Sequence, residues 1–405
     1  MGPILSEDAG RFAKAFNDRY LHWSEVRLRD TGDIDPDIVW TRMKLVRDDN
    51  CARLTFDGTE FRYVVTENIL KIIREFEMRT GFGTFSETDG FLEKGGYSSE
   101  NLIDESIASS QTEGAVTTTR KAREMLRKNL RPKDRSETMI LNNYRAMLFI
   151  KRHISDRLTP EFIREIHRIV TRDTLEERFS GSFRDNDDVV VQDAVTGEVF
   201  HQPVPRDRIS AHIGQLCDFV NAVDSVHPLI KGMILHYALA YIHPFEDGNG
   251  RVARSLFYWY ELGHGYPVME YLSISRYIRD HKGRYGEAYV FGETDSNDMT
   301  YFFLYNFSAL IDSAESFQTY LRKRTEVERS TRERFSGLGL NDRQISVITE
   351  LLEGGTVTVR SVMTQYGVSL NTSRADIRTL LEQGLLKESG REANMKVYTW
   401  SGKDL

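Results

Sequence analysis

The twelve residues His243-Pro244-Phe245-Glu246-Asp247-Gly248-Asn249-Gly250-Arg251-Val252-Ala253-Arg254 constrain this chain more than any other stretch. A long apolar run, Leu229 to Ile242, feeds into them, and a second, Val252 to Leu262, leaves them. The pattern reads as a tight loop held between two helices, with a backbone bare enough to grip phosphates. Two glycines within three residues let an anion approach the main chain, because no Cβ blocks the way. At a helix start, unpaired N–H groups and the positive end of the dipole make a phosphate cradle. Asp247 beside it suits Mg²⁺, which prefers one or two carboxylates plus phosphate oxygens. Arg251 and Arg254, three apart on one helix face, can clamp one polyphosphate. His243 can take a proton from an attacking hydroxyl at neutral pH, and Phe245 is expected to pin the loop to the core. Nucleotidyl or phosphoryl transfer needs little more than this set. Singly, His-Pro ends helices and Asp-Gly-Asn-Gly makes turns. A calcium loop is ruled out, since its further acceptors and closing Glu are missing.

The rest of the sequence narrows the setting. A chain of 405 residues, 40% apolar and 28% charged, is an ordinary multi-domain profile. The net charge of −7 argues against wholesale nucleic-acid binding. The start MGPILSEDAG lacks a basic region followed by an apolar run. The most apolar stretch, Leu229–Ile242, is too short to span a bilayer and carries Lys231 and His236. Cys51 and Cys217 have no metal-type spacing. The expectation is a soluble cytoplasmic protein with no membrane contact.

Along the chain, residues 1–95 read as a mixed leader. They hold a helix over Phe12–Trp23, a helix opened by Asp35-Pro36, a short hairpin turned by Asp57-Gly58, and an amphipathic helix over Val65–Arg79. Gly81–Gly96 reads as a loop. Helices follow over Glu100–Thr112, Thr117–Leu130 and Glu137–Arg152, and another opens at Thr159-Pro160. Val189-Val190-Val191 and Val199-Phe200 read as a β-hairpin. Helices resume over Ile209–Val223 and, after the central motif, over Ser273–Arg279, Arg284–Val290 and Met299–Arg324. A hinge is expected at Ser336–Gly339. Beyond it, helix, strand (Thr356–Thr358), helix, turn, helix (Ser369–Gln383) and hairpin (Leu385–Lys387, Lys396–Trp400) form the layout of a winged helix-turn-helix.

His243–Arg254 resembles the Fic signature H-P-F-x-D-G-N-G-R-x-x-R at every defining position. Ser106–Gly114, Gly181–Arg184 and His227-Pro228 also look like Fic sequence, so the likeness covers roughly residues 96–290. Trp23–Val46 is similar to the N-terminal part of some long Fic proteins. The resemblance implies a mainly α fold, with a Fic-type helical core (96–335) carrying a β-hairpin flap. A mixed N-terminal region (1–95) precedes it, and a winged helix-turn-helix domain (336–405) follows. It also implies transfer of AMP from ATP to a Ser, Thr or Tyr hydroxyl of a target protein. His243 would be the base and Asp247 the Mg²⁺ ligand. Gly248, Asn249 and Gly250 would form the cradle, and Arg251 and Arg254 would bind phosphates. Val189, Val190 and Val191 would belong to the flap that registers the target by strand addition. Gly250 stands where phosphate-donating members carry Lys, which favours AMP transfer.

Ser109-Ser110-Gln111-Thr112-Glu113-Gly114, on a helix near 100–114, looks like the family's inhibitory motif. The resemblance implies that Glu113 pairs with Arg254 and blocks the γ-phosphate position, a carboxylate standing in for the anion it excludes. The same Glu could instead orient a water and favour removal of AMP, making the enzyme bifunctional or mainly de-AMPylating. His236 and His201 read as core or incidental residues. Tyr285 reads as core or, by family analogy, as adenine-lining.

The C-terminal module carries a rival reading, a nucleotide-sensing DNA-binding regulator, with Thr372, Ser373, Arg374 and Arg378 as candidate contacts and Ser389–Asn394 as the wing. Residues 340–405 hold eight Lys/Arg and eight Asp/Glu, a balance without the cationic excess that DNA contacts call for. Protein docking fits the same module, and a homodimer is compatible with the sequence.

Overall fold

The computed structural model describes residues 6–80, 97–192, 197, 199–352, 354–392 and 395–402. The expected loop Gly81–Gly96, most of the flap turn and part of the wing tip lie outside them. The chain is mainly helical, and the described residues form three two-stranded antiparallel sheets. Its elements are α1 (Glu7–Asp18), α2 (Trp23–Val26), α3 (Pro36–Asn50), β1 (Ala52–Phe56), β2 (Thr59–Tyr63), α4 (Glu67–Thr80), α5 (Tyr97–Thr112), α6 (Thr119–Arg127), α7 (Arg135–Arg152) and α8 (Pro160–Thr171). The short hairpin β3 (Val191–Gln192) and β4 (Val199–His201) follows. Then come α9 (Ile209–Asn221), α10 (Pro228–Ile242), α11 (Asn249–Gly263), α12 (Ile274–Asp280), α13 (Lys282–Thr294) and α14 (Thr300–Arg334). The last part is α15 (Asp342–Leu352), α16 (Val359–Gln365), α17 (Leu370–Glu382), β5 (Leu386–Glu392) and β6 (Met395–Trp400).

Helix α10 is the axis of the main core. It is apolar nearly all round and buried along most of its length, so it must be enclosed by other helices. Gly232 lets α11 come close. A Cβ there would lie 2.1 Å from Glu261 Oε1 and 3.3 Å from the Phe257 ring. β1, β2 and α4 contribute Phe56, Phe61, Ile69 and Phe76 to the same core as α7–α11. Helix starts follow their caps. Asp134 accepts from Glu137 N at 2.8 Å ahead of α7, and Thr159 accepts from Phe162 N at 3.1 Å ahead of Pro160 and α8.

Four expectations are corrected. The single helix over Phe12–Trp23 is two, broken where Tyr20 adopts a left-handed φ of 51°. Val189 and Val190 lie ahead of the flap strand, which begins only at Val191. The register pairs Val191 with His201 and Gln192 with Val199, around a bulge. Thr356–Thr358 is no strand; Val357 makes one isolated bridge to Tyr398. The expected helix Met299–Arg324 runs on to Arg334 as one 35-residue rod. Phe335, at its end, is buried in a second core with Ile348, Leu380 and Leu385.

Candidate active site

The loop between α10 and α11 is shaped from within. His243 caps α10 in the left-handed region (φ 49°), and its N–H donates to Leu239 O at 3.0 Å. Asn249 then closes the turn: its Oδ1 accepts from Phe245 N at 2.9 Å and its Nδ2 donates to Phe245 O at 2.8 Å. Both ends of that amide are spent on one residue's backbone, so Asn249 shapes the cradle and leaves ligand contact to its main chain. Gly248 sits at φ 87°, and a Cβ there would meet Thr171 Cγ2 at 3.1 Å. Position 248 is therefore held to glycine by conformation and by space. The helix begins at Asn249, three residues earlier than the apolar pattern indicated, so the first-turn N–H groups of Asn249 and Gly250 belong to the motif itself.

His167 on α8, which the sequence did not mark, supports the loop from behind. Its Nδ1 accepts from Gly181 N at 2.9 Å and its Nε2 donates to Asp247 O at 2.8 Å. Its ring stacks on Phe245 at 3.8 Å. Burial lowers its pKa to about 4. Arg184 is a second support: its Nε donates to His243 O at 3.0 Å, its backbone N–H to Pro244 O at 2.9 Å, and its Nη2 to Val204 O. Only its place in Gly181–Arg184 hinted at this.

His243 is half-buried, and its Nδ1 lies 3.2 Å from Ala240 O, an acceptor only, so Nδ1 carries the proton and Nε2 the lone pair. Burial lowers its pKa to about 4, leaving the ring neutral at pH 7. Asp247 Oδ1 accepts from Gly248 N at 2.6 Å and from Arg251 Nη2 at 3.2 Å. Its Oδ2 faces Arg135, 3.2 Å away on a side chain 63% exposed. Such a surface arm can leave at little cost, so the Oδ2 edge fits a cation shared with phosphate oxygens.

The two arginines have different surroundings. Arg251 donates to Val170 O at 2.8 Å as well as to Asp247. Arg254 donates from Nε to Ser109 Oγ at 2.9 Å, and from Nη2 to Ser109 O at 3.1 Å and Glu113 Oε1 at 2.8 Å. Arg254 Nη1 and Arg251 Nε are buried and make no hydrogen bond among the described residues, which suits donors awaiting an anion. Glu113 Oε1 lies directly over the cradle; a Cβ on Gly250 would be 2.2 Å from it. Burial alone would raise the Glu113 carboxyl, but Arg254, with Arg251 and Lys282, holds it below the usual carboxylate range.

Glu113 is delivered by α5, which is tied down at both ends of its last two turns. Glu105, 1% exposed, accepts from Tyr258 Oη at 2.9 Å and from Ser273 Oγ and Ser275 N, each at 3.0 Å. Lys282 Nζ donates to Thr112 O at 2.7 Å, and Arg279 Nη1 to Gln111 Oε1 at 2.9 Å. Tyr285 and His236, 2.9 Å apart, pack with the core around α13.

Residues 157–260 match the model of the Fic/DOC family, and residues 343–390 that of the DeoR-like helix-turn-helix domain. This chain carries a Fic/DOC domain. Among curated relatives it is similar to the protein adenylyltransferase Fic of Drosophila willistoni, 35% identical over 128 residues, which cover 30% of this chain and 24% of that protein. The protein of the same name from Nematostella vectensis is 35% identical over 117 residues, 28% of this chain and 25% of that one. The matched stretch thus spans about a quarter of these relatives' own length. A solved Fic family protein from Desulfovibrio desulfuricans G20 superposes with a TM-score of 0.56 at 20% identity, over 85% of this chain and 98% of that one. Fic-1 of C. elegans, residues 134–508, gives 0.51 at 16% identity, over 74% and 82%. At these identities the likeness is one of fold. Among the described residues, no helix is long and apolar enough to cross a membrane.

In the helix-turn-helix part of the chain, Ser373 is withdrawn from the candidate DNA contacts. It is fully buried, and its Oγ donates to Val359 O at 2.5 Å. Asp376 is also buried, held by Arg343 and by Gln344 Nε2 at 3.2 Å, whereas Arg374 and Arg378 are exposed. The even charge count of this region therefore hides an uneven surface, since an acid of α17 is turned inward and its bases outward.

Proposed function

We propose that the Fic domain transfers AMP from ATP to a Ser, Thr or Tyr hydroxyl of a protein, and that Glu113 restrains it. The observation that carries the reading is the Glu113 carboxylate over Gly250 and on Arg254, where a phosphate would find the same donors. The target oxygen forms a bond to the α-phosphorus as its proton passes to His243 Nε2, and the bond to the bridging oxygen breaks, releasing pyrophosphate. N–H groups at the start of α11 and the side chains of Arg251 and Arg254 hold the phosphates. Asp247 would hold Mg²⁺, which when bound neutralises charge on the phosphate oxygens. With Glu113 in place, the carboxylate and an ATP phosphate compete for Arg254, so the resting chain transfers slowly.

Labelling with ATP radioactive at the α-phosphate tests this on the wild type, Glu113→Gly and Glu113→Gly/His243→Ala. Glu113→Gly should label itself or a lysate about 5- to 150-fold faster, the span of an ordinary regulatory coupling. The double variant should be silent. Equal labelling of wild type and Glu113→Gly would sink the restraint. If Glu113 instead orients a water, Glu113→Gly would lose the ability to release AMP from a modified protein.

A second activity is favoured by the exposed Arg374 and Arg378 of α17 beside the inward Asp376. We infer that this face contacts duplex DNA. A mobility shift on random duplex should weaken with salt, with each Arg→Ala reducing the salt slope by about 1. A salt-independent or absent shift would leave protein docking as the module's role.

A further inference from the structure

The last four carbonyls of any helix lack partners within it. At the end of α10 three of these carbonyls are taken up by His243 itself or by His201. Leu239 O accepts from the His243 N–H, and Ala240 O from His243 Nδ1. Tyr241 O accepts from His201 Nε2 at 2.6 Å. One residue beyond the helix, His243 O accepts from Arg184 Nε. The backbone that presents the base is thus gripped on one side by Arg184, at the root of the flap, and on the other by His201, the last residue of β4.

His201 is held as firmly as it holds. It is 7% exposed, its ring packs on Tyr241 with centroids 4.8 Å apart, and its Nδ1 lies 2.8 Å from Glu293 Oε2 on α13. The Tyr241 carbonyl can only accept, so Nε2 carries a proton, and Nδ1 faces the Glu293 carboxyl. A neutral aromatic side chain could fill this space but could not make both bonds.

We propose that His201 is a positioning residue for the transfer reaction, clamping flap strand β4 through Glu293 and Tyr241 O to the helix end that carries His243. The clamp rests on the AMP-transfer reading given above. Its consequence is register: a hydroxyl laid along the flap meets Nε2 of His243 only if strand and helix end move as one body. An error of about 1 Å in such a meeting costs on the order of 10²-fold in rate.

The test uses the full chain in the Glu113→Gly background, with a fluorescent ATP analogue as the nucleotide probe. His201→Ala should slow self-labelling at least about tenfold, with the apparent KM for ATP and the analogue's affinity unchanged. It should also speed backbone deuterium exchange across residues 199–204 and 239–244. Glu293→Gln can still hydrogen-bond Nδ1 and should fall between the parent and His201→Ala. Should His201→Ala fail to fold, Glu293→Ala asks the same question from α13. Labelling at the parental rate would overturn the proposal, as would a parallel loss of nucleotide affinity. If the Glu113→Gly parent itself transfers no AMP, the transfer reading falls and deuterium exchange decides alone: faster exchange in His201→Ala upholds the clamp, and unchanged exchange removes it.

Discussion

In the central loop the groups that set the backbone's shape are committed before any ligand arrives. Asn249 closes both backbone groups of Phe245, His167 holds Asp247 O, and Arg184 holds His243 O. The hairpin beside it is built the other way. Its strands are two and three residues long, among the described residues they pair only with each other, and Val199 and Phe200 are 52% and 41% exposed. A loop that binds a defined anion gains from rigidity, because reorganisation at the moment of reaction raises the barrier. A strand that receives a varied protein segment gains from an open edge, which offers main-chain bonds without regard to side chains. His201 and Arg184 join the two at the roots of the hairpin.

Changes in the loop and in the hairpin should accordingly separate. The largest effect is expected at the base: His243→Ala in the Glu113→Gly background should reduce transfer by about 10²–10⁴-fold without loss of ATP-analogue binding. Asn249→Ala leaves the Phe245 N–H and C=O buried and unpaired, at a cost of about 1–3 kcal/mol each. Its urea midpoint should fall, and nucleotide affinity with it; a normal midpoint would show that the loop does not depend on this amide.

The pH response should follow the buried imidazoles. His167 and His243 have folded pKa values of about 4, against 6.5 for an ordinary histidine. Below about pH 6.5 the unfolded chain takes up protons that these two rings refuse, so their contribution to stability falls as pH drops from about 6.5 to about 4. Urea midpoints across that range should drop more steeply for the wild type than for His167→Gln. The smallest effect on stability, within about 0.5 kcal/mol, is expected for Val199→Asp or Phe200→Asp. Labelling of other proteins should nevertheless fall, and unchanged labelling of a lysate would break the contrast between loop and hairpin.

How much of this was legible in the sequence differs by part. Helix α8 was readable because a capping Thr and a proline precede an apolar period, and α10 because its apolar run is nearly unbroken. The flap strand was placed too early because a run of valines signals strand propensity without saying where a partner begins. The winged helix misled in a different way, because composition counts Asp376 as a surface charge while packing against Arg343 removes it.

By itself the sequence determined the local chemistry of the central loop: a histidine, a carboxylate, two glycines and two arginines within twelve residues, in an order that makes a candidate helix-start anion site. Glu113 was nameable only through a resemblance. Its place above Gly250 is decided by how α5 packs, through Glu105 on the α11–α12 side and Lys282 at its end. His167 and His201 carried no such signal, and Arg184 only its place in Gly181–Arg184. Each works through a backbone carbonyl far from it in the chain, and a carbonyl has no letter in the sequence. The loop was written locally because its candidate ligand groups lie in one stretch; the supports and the placement of Glu113 are not, because only packing brings such distant groups together.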